Sequence, residues 1–485
     1  MQPKIELLSD DMVRQILDES YQILLQTGVK VQSINARRLL ADAGAQVDPF
    51  TEVVKISESL IAPALETTPS SFTLFDRAGN QVISYGGDAV HFDPGSSGVN
   101  MLDSVSGKHH AATTSDLITL VKIVEMLQQY DAQSTAIVCS DVPKTISDLY
   151  RLFIVLSFSQ KPIVTGSFSV PTLQTMIEML NIVSGGREEL VKKPLAVFDV
   201  CPSPPLIWSN FASENLIILA RQKVPVELVS MPLTGAASPI TLLGSIVQHT
   251  VENLSGLLIH QLACPGSPLV WGGAPAIFDM RKGSTPFGAA ETAMLSAATT
   301  QVGKSLQLPT HTYLGASDAK FLDAQAGMES GMSFLIGALA GINMISGAGM
   351  LDFLACQSLE KLVFDAEAIA WTKRLLNGIK IQTQPFALNF YENFSFKPDF
   401  LKQKATRDLF SQEQILPSLV IDRGSVRGWQ MDGKLDLTSR ASVRIKQLLA
   451  NYEIPGIDPA CSQELLELVK FQAGQAGMSQ LPVLA

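Results

Sequence analysis

Aromatic residues recur in this 485-residue sequence where short apolar runs give way to turns: Phe92, Phe168, Trp208, Trp271, Tyr313 and Phe353. Few full charges accompany them. Aromatic faces attract cations through the ring quadrupole, so such a set suits a mouth that holds a methylated ammonium group. Core packing is the competing reading for each ring taken singly. Polar groups that could orient a ligand lie nearby: Asp93, Ser96, Ser97 and Asn100 after the first run, and His311 in the seventh. His311 is either a ligand-facing residue or a satisfied core histidine.

Other chemistries find less support. A Schiff base needs a lysine in an apolar setting; the nearest candidate, Lys320, follows Asp318 and reads as an ion-paired loop residue. No His, Cys or Asp trio stands at metal-ligand spacing, so no metal is expected. His109 and His110 fall in a predicted loop, His249 and His260 share one predicted helix, and His91 lies inside a strand. No G-x-S-x-G supports a nucleophilic serine. The sequence therefore assigns no catalytic residue. Five cysteines lie far apart with no CxxC pair, which argues against a disulfide framework or structural zinc. With no leader-like start, a cytoplasmic location is expected. A net charge of −10 without a basic cluster excludes nucleic acid as a partner. No apolar run is long enough for a membrane span.

The elements that must position these residues are readable. Hydrophobic residues are 46% of the chain and charged ones 17%, enough apolar surface for a large core. From about residue 88, β-branched runs alternate with helix-length segments. The expected strands are 90–93, 136–140, 163–166, 195–200, 226–229, 269–271, 310–314 and 342–345, each followed by a helix. Eight βα units predict an α/β fold of the TIM (β/α)8 type, with function at the C-terminal strand ends. An open doubly wound sheet is the rival, but Asp93-Pro94-Gly95-Ser96-Ser97-Gly98 lacks its G-x-G-x-x-G turn. The expected division is a helical prelude with a β-hairpin over 1–87, the barrel over 88–378 and a helical appendage over 379–485.

Several blocks resemble a known family, the trimethylamine methyltransferases and their non-pyrrolysine relatives that act on quaternary amines such as glycine betaine. They are His91-Phe92-Asp93-Pro94-Gly95, Pro232 through Gly244, Pro265 through Gly273, Gly315-Ala316-Ser317-Asp318-Ala319-Lys320 and Ser358 through Val363. The resemblance implies a TIM barrel, a homo-oligomer, a small methylated amine as substrate and a partner protein that supplies a corrinoid (cobalamin), none being bound by this chain. The trimethylamine members carry pyrrolysine near the seventh strand, whereas Tyr313 to Asp318 are ordinary residues here. That departure points to the non-pyrrolysine branch. Loops holding Gly272, Gly273, Gly315, Ser317 and Asp318 are expected to face the corrinoid, unless the glycines simply serve tight turns. A betaine carboxylate would fall to Asn100, Ser96, Ser97 or His311. Two alternatives stay open. One is an aldolase- or decarboxylase-type barrel with phosphate at Ser346-Gly347-Ala348-Gly349; the other is a non-catalytic binder of methylated amines.

Overall fold

The computed structural model describes residues 2–104, 106–392, 396 and 400–484. Its centre is a ring of eight parallel strands: β1 (His91–Pro94), β2 (Gln133–Ser134), β3 (Ile163–Thr165), β4 (Ala196–Val200), β5 (Val226–Leu228), β6 (Leu269–Gly273), β7 (Thr310–Thr312) and β8 (Met344–Ala348). The ladder runs from β2 through β8 and on to β1. The β1–β2 seam is closed mainly by Asp131. Its amide donates to the Phe92 carbonyl at 2.8 Å, and its carboxylate accepts the Phe92 amide at 3.0 Å. Each strand feeds one helix: α1 (Thr114–Met126), α2 (Ser147–Phe158), α3 (Val170–Ser184), α4 (Asn210–Gln222), α5 (Leu242–Ala263), α6 (Ala290–Ser305), α7 (Ala324–Leu339) and α8 (Leu359–Leu376). Caps fix where most of them begin, as when the Asp323 side chain accepts the Ala326 amide and Ser358 that of Lys361.

The expected barrel is therefore present, with one strand displaced. The second strand is Gln133–Ser134, not residues 136–140. Polar side chains make it unlike its neighbours. Gln133 Nε2 donates to the Val121 carbonyl at 3.0 Å, and Ser134 Oγ to the Gly95 carbonyl at 3.2 Å. The apolar residues after it pass the strand end, where Ile137 bridges Gly98.

The prelude supplies the expected helices (Asp10–Gln26, Ile34–Asp42, Glu58–Thr67) and the hairpin Phe72–Phe75/Gln81–Tyr85. That hairpin closes the barrel floor. Leu74, Ile83 and Tyr85 pack with Ala132, Val164, Val197, Val270 and Met344, all buried. The mouth carries a small sheet that was not foreseen. Asn100–Asp103 pairs with Lys108–Ala111, placing His109 and His110 in a strand, and with Cys356–Gln357. Beyond α8 the chain forms helices Lys404–Glu413, Val426–Met431, Leu437–Ala450 and Pro459–Gln475. No helix among the described residues is long and apolar enough to cross a membrane.

Candidate functional site

Parallel register brings one polar layer together inside the barrel, above the apolar floor. Asp199 of β4 pairs with Glu227 of β5, and Asp93 of β1 with Ser346 of β8. His311 of β7 stands between Gly272 of β6 and Met344 of β8. Side chains on neighbouring strands at one height converge in a barrel, so residues far apart in sequence meet here.

The contacts are specific. Tyr85, rising from the floor hairpin, donates its hydroxyl to Glu227. Tyr313 donates to Asp199 Oδ2 at 2.9 Å, and its ring meets His311 edge-on at 5.2 Å. His311 Nε2 lies 3.0 Å from Ser346 Oγ, which in turn donates to Asp93. His311 Nδ1 stands 3.6 Å from Glu227 Oε2. Among the described residues, Asp93 Oδ2 and His311 Nδ1 are buried without a partner, while the carboxyls of Asp199 and Glu227 hydrogen-bond each other through the Glu227 proton. Buried polar atoms are normally paired, so vacant ones facing one another across the barrel interior mark where a ligand belongs.

Burial sets the charges. It pushes Asp93 and Glu227 well above the usual carboxylate range, Glu227 further through the Asp199 charge beside it. Burial raises Asp199 to about 6, while the Tyr313 hydrogen bond pulls the other way. It lowers His311 to about 3, so the imidazole is neutral. At neutral pH the layer therefore carries one negative charge, on Asp199, which keeps part of its surface open to the mouth. One buried negative charge complements one monovalent cation. The sequence showed no metal-ligand trio, yet the fold builds one: Asp199, Glu227 and His311 can each bring a ligand atom within 4.8 Å of the others. A divalent ion there would have to displace the Glu227 proton.

The residues singled out from sequence divide sharply. Asp93, His311 and Tyr313 belong to the layer. Phe168 is exposed in the loop after β3 and stacks 4.7 Å from the Arg151 guanidinium. Ser97, exposed at φ 64°, lies 3.3 Å from the Ser96 hydroxyl and 3.4 Å from Arg151. Asn100 is half-buried at the start of the mouth sheet. The ring of Phe353 is already covered by the Lys320 ammonium at 3.9 Å.

Phe92, Trp208 and Trp271 are corrections: all three point out of the barrel into helix packing. Phe92 meets Phe334 of α7 at 5.7 Å. Trp208 donates to Ser255 of α5 at 2.9 Å, and Trp271 to the Thr299 carbonyl of α6 at 3.1 Å. The expected corrinoid-facing residues are mostly structural too. A Cβ on Gly272 would sit 2.7 Å from the Leu228 carbonyl, one on Gly273 would strike the Ser230 carbonyl, and one on Gly315 would enter the Phe334 ring. Ser317 donates to Glu329 at 2.6 Å, and Asp318 accepts the Phe287 amide at 2.8 Å.

Three members of the mouth were missed. Glu227 is the one charge in an otherwise apolar strand, which was a signal. Tyr85 alternates inward on the hairpin, and Arg151 lies mid-helix, with nothing in the sequence to set it apart.

Comparison with known proteins gives the context. A family model described as trimethylamine methyltransferase (MTTB) matches residues 1–476. A trimethylamine methyltransferase MttB of Methanosarcina thermophila is 31% identical over 468 residues, covering 94% of this chain and 95% of its own length. The glycine betaine methyltransferase of Desulfitobacterium hafniense (strain Y51) is 26% identical over 477 residues, covering 98% of each. Among solved structures, the monomethylamine methyltransferase (MtmB) of Methanosarcina barkeri aligns with a TM-score of 0.54 at 11% identity, covering 98% of this chain and 90% of that one. That likeness concerns the fold.

Proposed function

This chain belongs to the trimethylamine methyltransferase family, and on that premise we propose that it moves a methyl group from a quaternary amine to the reduced corrinoid of a partner protein. It is a methyltransferase acting in a family of methylated-amine enzymes. The choice of a quaternary amine and of the corrinoid acceptor is our reading. The observation that carries it is the buried layer of Asp93, Asp199, Glu227 and His311, with one negative charge and unpartnered polar atoms on Asp93 and His311.

A quaternary nitrogen already bears the charge that lets a neutral tertiary amine depart. The carbon–nitrogen bond breaks, nitrogen keeps the electron pair, and no proton is needed. A corrinoid in its Co(I) state supplies the nucleophile for the methyl carbon. The chain's task is placement. Asp199 holds the cation, the Tyr313 ring lies against its methyl groups, and the hairpin floor closes the space below. Above, Val99, Phe168 and Met231 are exposed in the loops after β1, β3 and β5, an apolar rim suited to a macrocycle. Tyr313 to Asp318 carry no special residue for activating an uncharged amine.

The test is turnover with free cob(I)alamin over glycine betaine, carnitine, proline betaine and trimethylamine. Loss of the Co(I) absorbance, with release of the demethylated amine, is expected for quaternary donors. Consumption of trimethylamine alone would overturn the quaternary reading. Tight binding of every donor without transfer would make the chain a binding protein.

A further inference from the structure

The mouth holds a second charged centre that the mechanism above does not use. Arg151 of α2 is only 1% exposed. Its Nη1 donates to the Thr135 carbonyl at 2.8 Å and reaches the Ser97 hydroxyl at 3.4 Å. Its guanidinium lies 4.7 Å from the ring centre of Phe168, and its Nε has no partner. Among the described residues, no carboxylate meets it at ion-pair distance; Asp148 is spent on the Phe168 amide and the Thr172 hydroxyl. Taking a guanidinium out of water without a counter-ion is costly, and such a group is a ready anion receptor.

Its placement narrows the anion. Thr135, whose carbonyl Arg151 holds, meets the Thr165 hydroxyl of β3 at 3.1 Å, and Thr165 pairs with Phe198, the neighbour of Asp199 on β4. The positive centre, at the end of β2, and the negative centre, on β4, thus share one wall of the barrel. Ser97, in the loop after β1, and Phe168, in the loop after β3, make the entrance to Arg151, and both are exposed. We propose that Arg151 with the Ser97 hydroxyl forms a carboxylate subsite, so that the methyl donor is a zwitterion with its ammonium at Asp199 and its carboxylate at Arg151. This rests on the amine reading given above. It moves the carboxylate away from His311 and Asn100, and it makes Phe168 the cover of a guanidinium, not a wall of a cation cage. A donor with no carboxylate would leave the buried arginine without a direct ion pair, with Asp148 of the same helix acting on it only from beyond ion-pair distance.

Two probes separate the subsites: tetramethylammonium, which has only the cation, and tert-butylacetate, the carbon isostere of glycine betaine, which has only the carboxylate. Calorimetry on the full chain should show both binding weakly and glycine betaine binding about tenfold or more tighter than either. Arg151→Met should abolish tert-butylacetate binding and remove the betaine advantage, with tetramethylammonium changed by less than about twofold. Because Arg151 is buried, a second variant avoids dependence on its fold. Ser97→Asp, at an exposed left-handed position, places a carboxylate on the guanidinium and should block tert-butylacetate and betaine while sparing tetramethylammonium. If both variants bind betaine like the parent, the subsite is wrong and the amine reading stands. If tert-butylacetate binds through Arg151 but tetramethylammonium does not bind at all, the anion subsite holds but the amine reading falls, and the zwitterion assignment with it. Binding of inorganic phosphate through Arg151 in place of either carboxylate would overturn the proposal in favour of a phosphorylated substrate.

Discussion

Asp199 and Glu227 sit side by side in the ladder, yet the fold gives them different charges, and this separates their expected roles. Glu227 keeps its proton, so Glu227→Gln preserves both charge and shape, and the amide oxygen still accepts from Tyr85. Binding of a cationic donor should change by less than about threefold. Asp199→Asn removes the layer's one negative charge and should weaken that binding about tenfold or more, read by calorimetry. Loss of binding in Glu227→Gln would instead indicate a metal, which needs that carboxylate ionised. The pH dependence carries its own sign. Asp199 titrates at about 6 in the fold, against an ordinary value of about 3.9. Between those values the native state holds a proton that the unfolded chain has lost. The stability this group contributes is thus complete below about 3.9 and is lost as pH rises through 6. Cation binding runs the other way, weakening as pH falls below about 6; a flat affinity from pH 5 to 8, as ranges either side of that value, would contradict the assignment. Sequence could reach Asp93, His311 and Tyr313 because strand ends were identifiable. It could not say which rings face inward: Phe92 and Trp271 lie on the outer side of their strands, which depends on register with neighbouring strands, and Trp208 lies beyond the fourth strand in a pairing with Val29–Val31 of the prelude.

The floor hairpin shows how an element outside the barrel builds the site. Ile83 is fully buried beneath the polar layer, and two residues on, Tyr85 reaches Glu227. Ile83→Ala should cost about 2–5 kcal/mol in denaturant unfolding through the cavity it leaves. Tyr85→Phe keeps the packing and removes only the hydroxyl, so it should cost less, about 1–3 kcal/mol for the Glu227 oxygen left without its donor, while altering the pH profile of donor binding. Equal loss of stability in both would mean that the hydroxyl serves the fold alone. The hairpin was legible from Ala78-Gly79-Asn80 between two alternating runs, and so were seven of the eight strands, because a buried parallel strand is a continuous apolar run. The second strand was misplaced for the same reason. Gln133 and Ser134 satisfy their side chains on backbone carbonyls inside the barrel, so the strand lacks the apolar signature, and the more hydrophobic residues after it drew the boundary. In the mouth sheet, the pairing of Asn100 and Met101 with Cys356 and Gln357 joins residues more than 250 apart and has no local signal.

At the scale of the whole molecule, the segment after α8 departs from the rest. Ile379 is 98% exposed, Phe386 70%, Leu401 82% and Leu419 74%, while the barrel helices bury nearly all their large apolar groups. Contiguous exposed apolar surface on a soluble chain marks an interaction site. Residues 379–419 carry Lys380, Lys397, Lys402, Lys404 and Arg407 against Glu392, Asp399, Asp408 and Glu413, so the stretch is near neutral on a chain whose net charge is −10. A second copy of the chain, with the same apolar segment, is the occupant expected here, in line with the homo-oligomer that the sequence resemblance implied. Light scattering on the purified protein should give a mass above 52.3 kDa. The double variant Ile379→Ser/Phe386→Ser should lower that mass toward the monomer without changing far-ultraviolet circular dichroism, because neither side chain is part of the core. Because the segment is apolar and near neutral in charge, the association should persist as salt is raised from about 0.05 to 0.5 M, where exposed charge pairs would be screened. A parent protein that runs as a monomer at micromolar concentration would assign the strip to a different partner, and the corrinoid protein would then be the first to try.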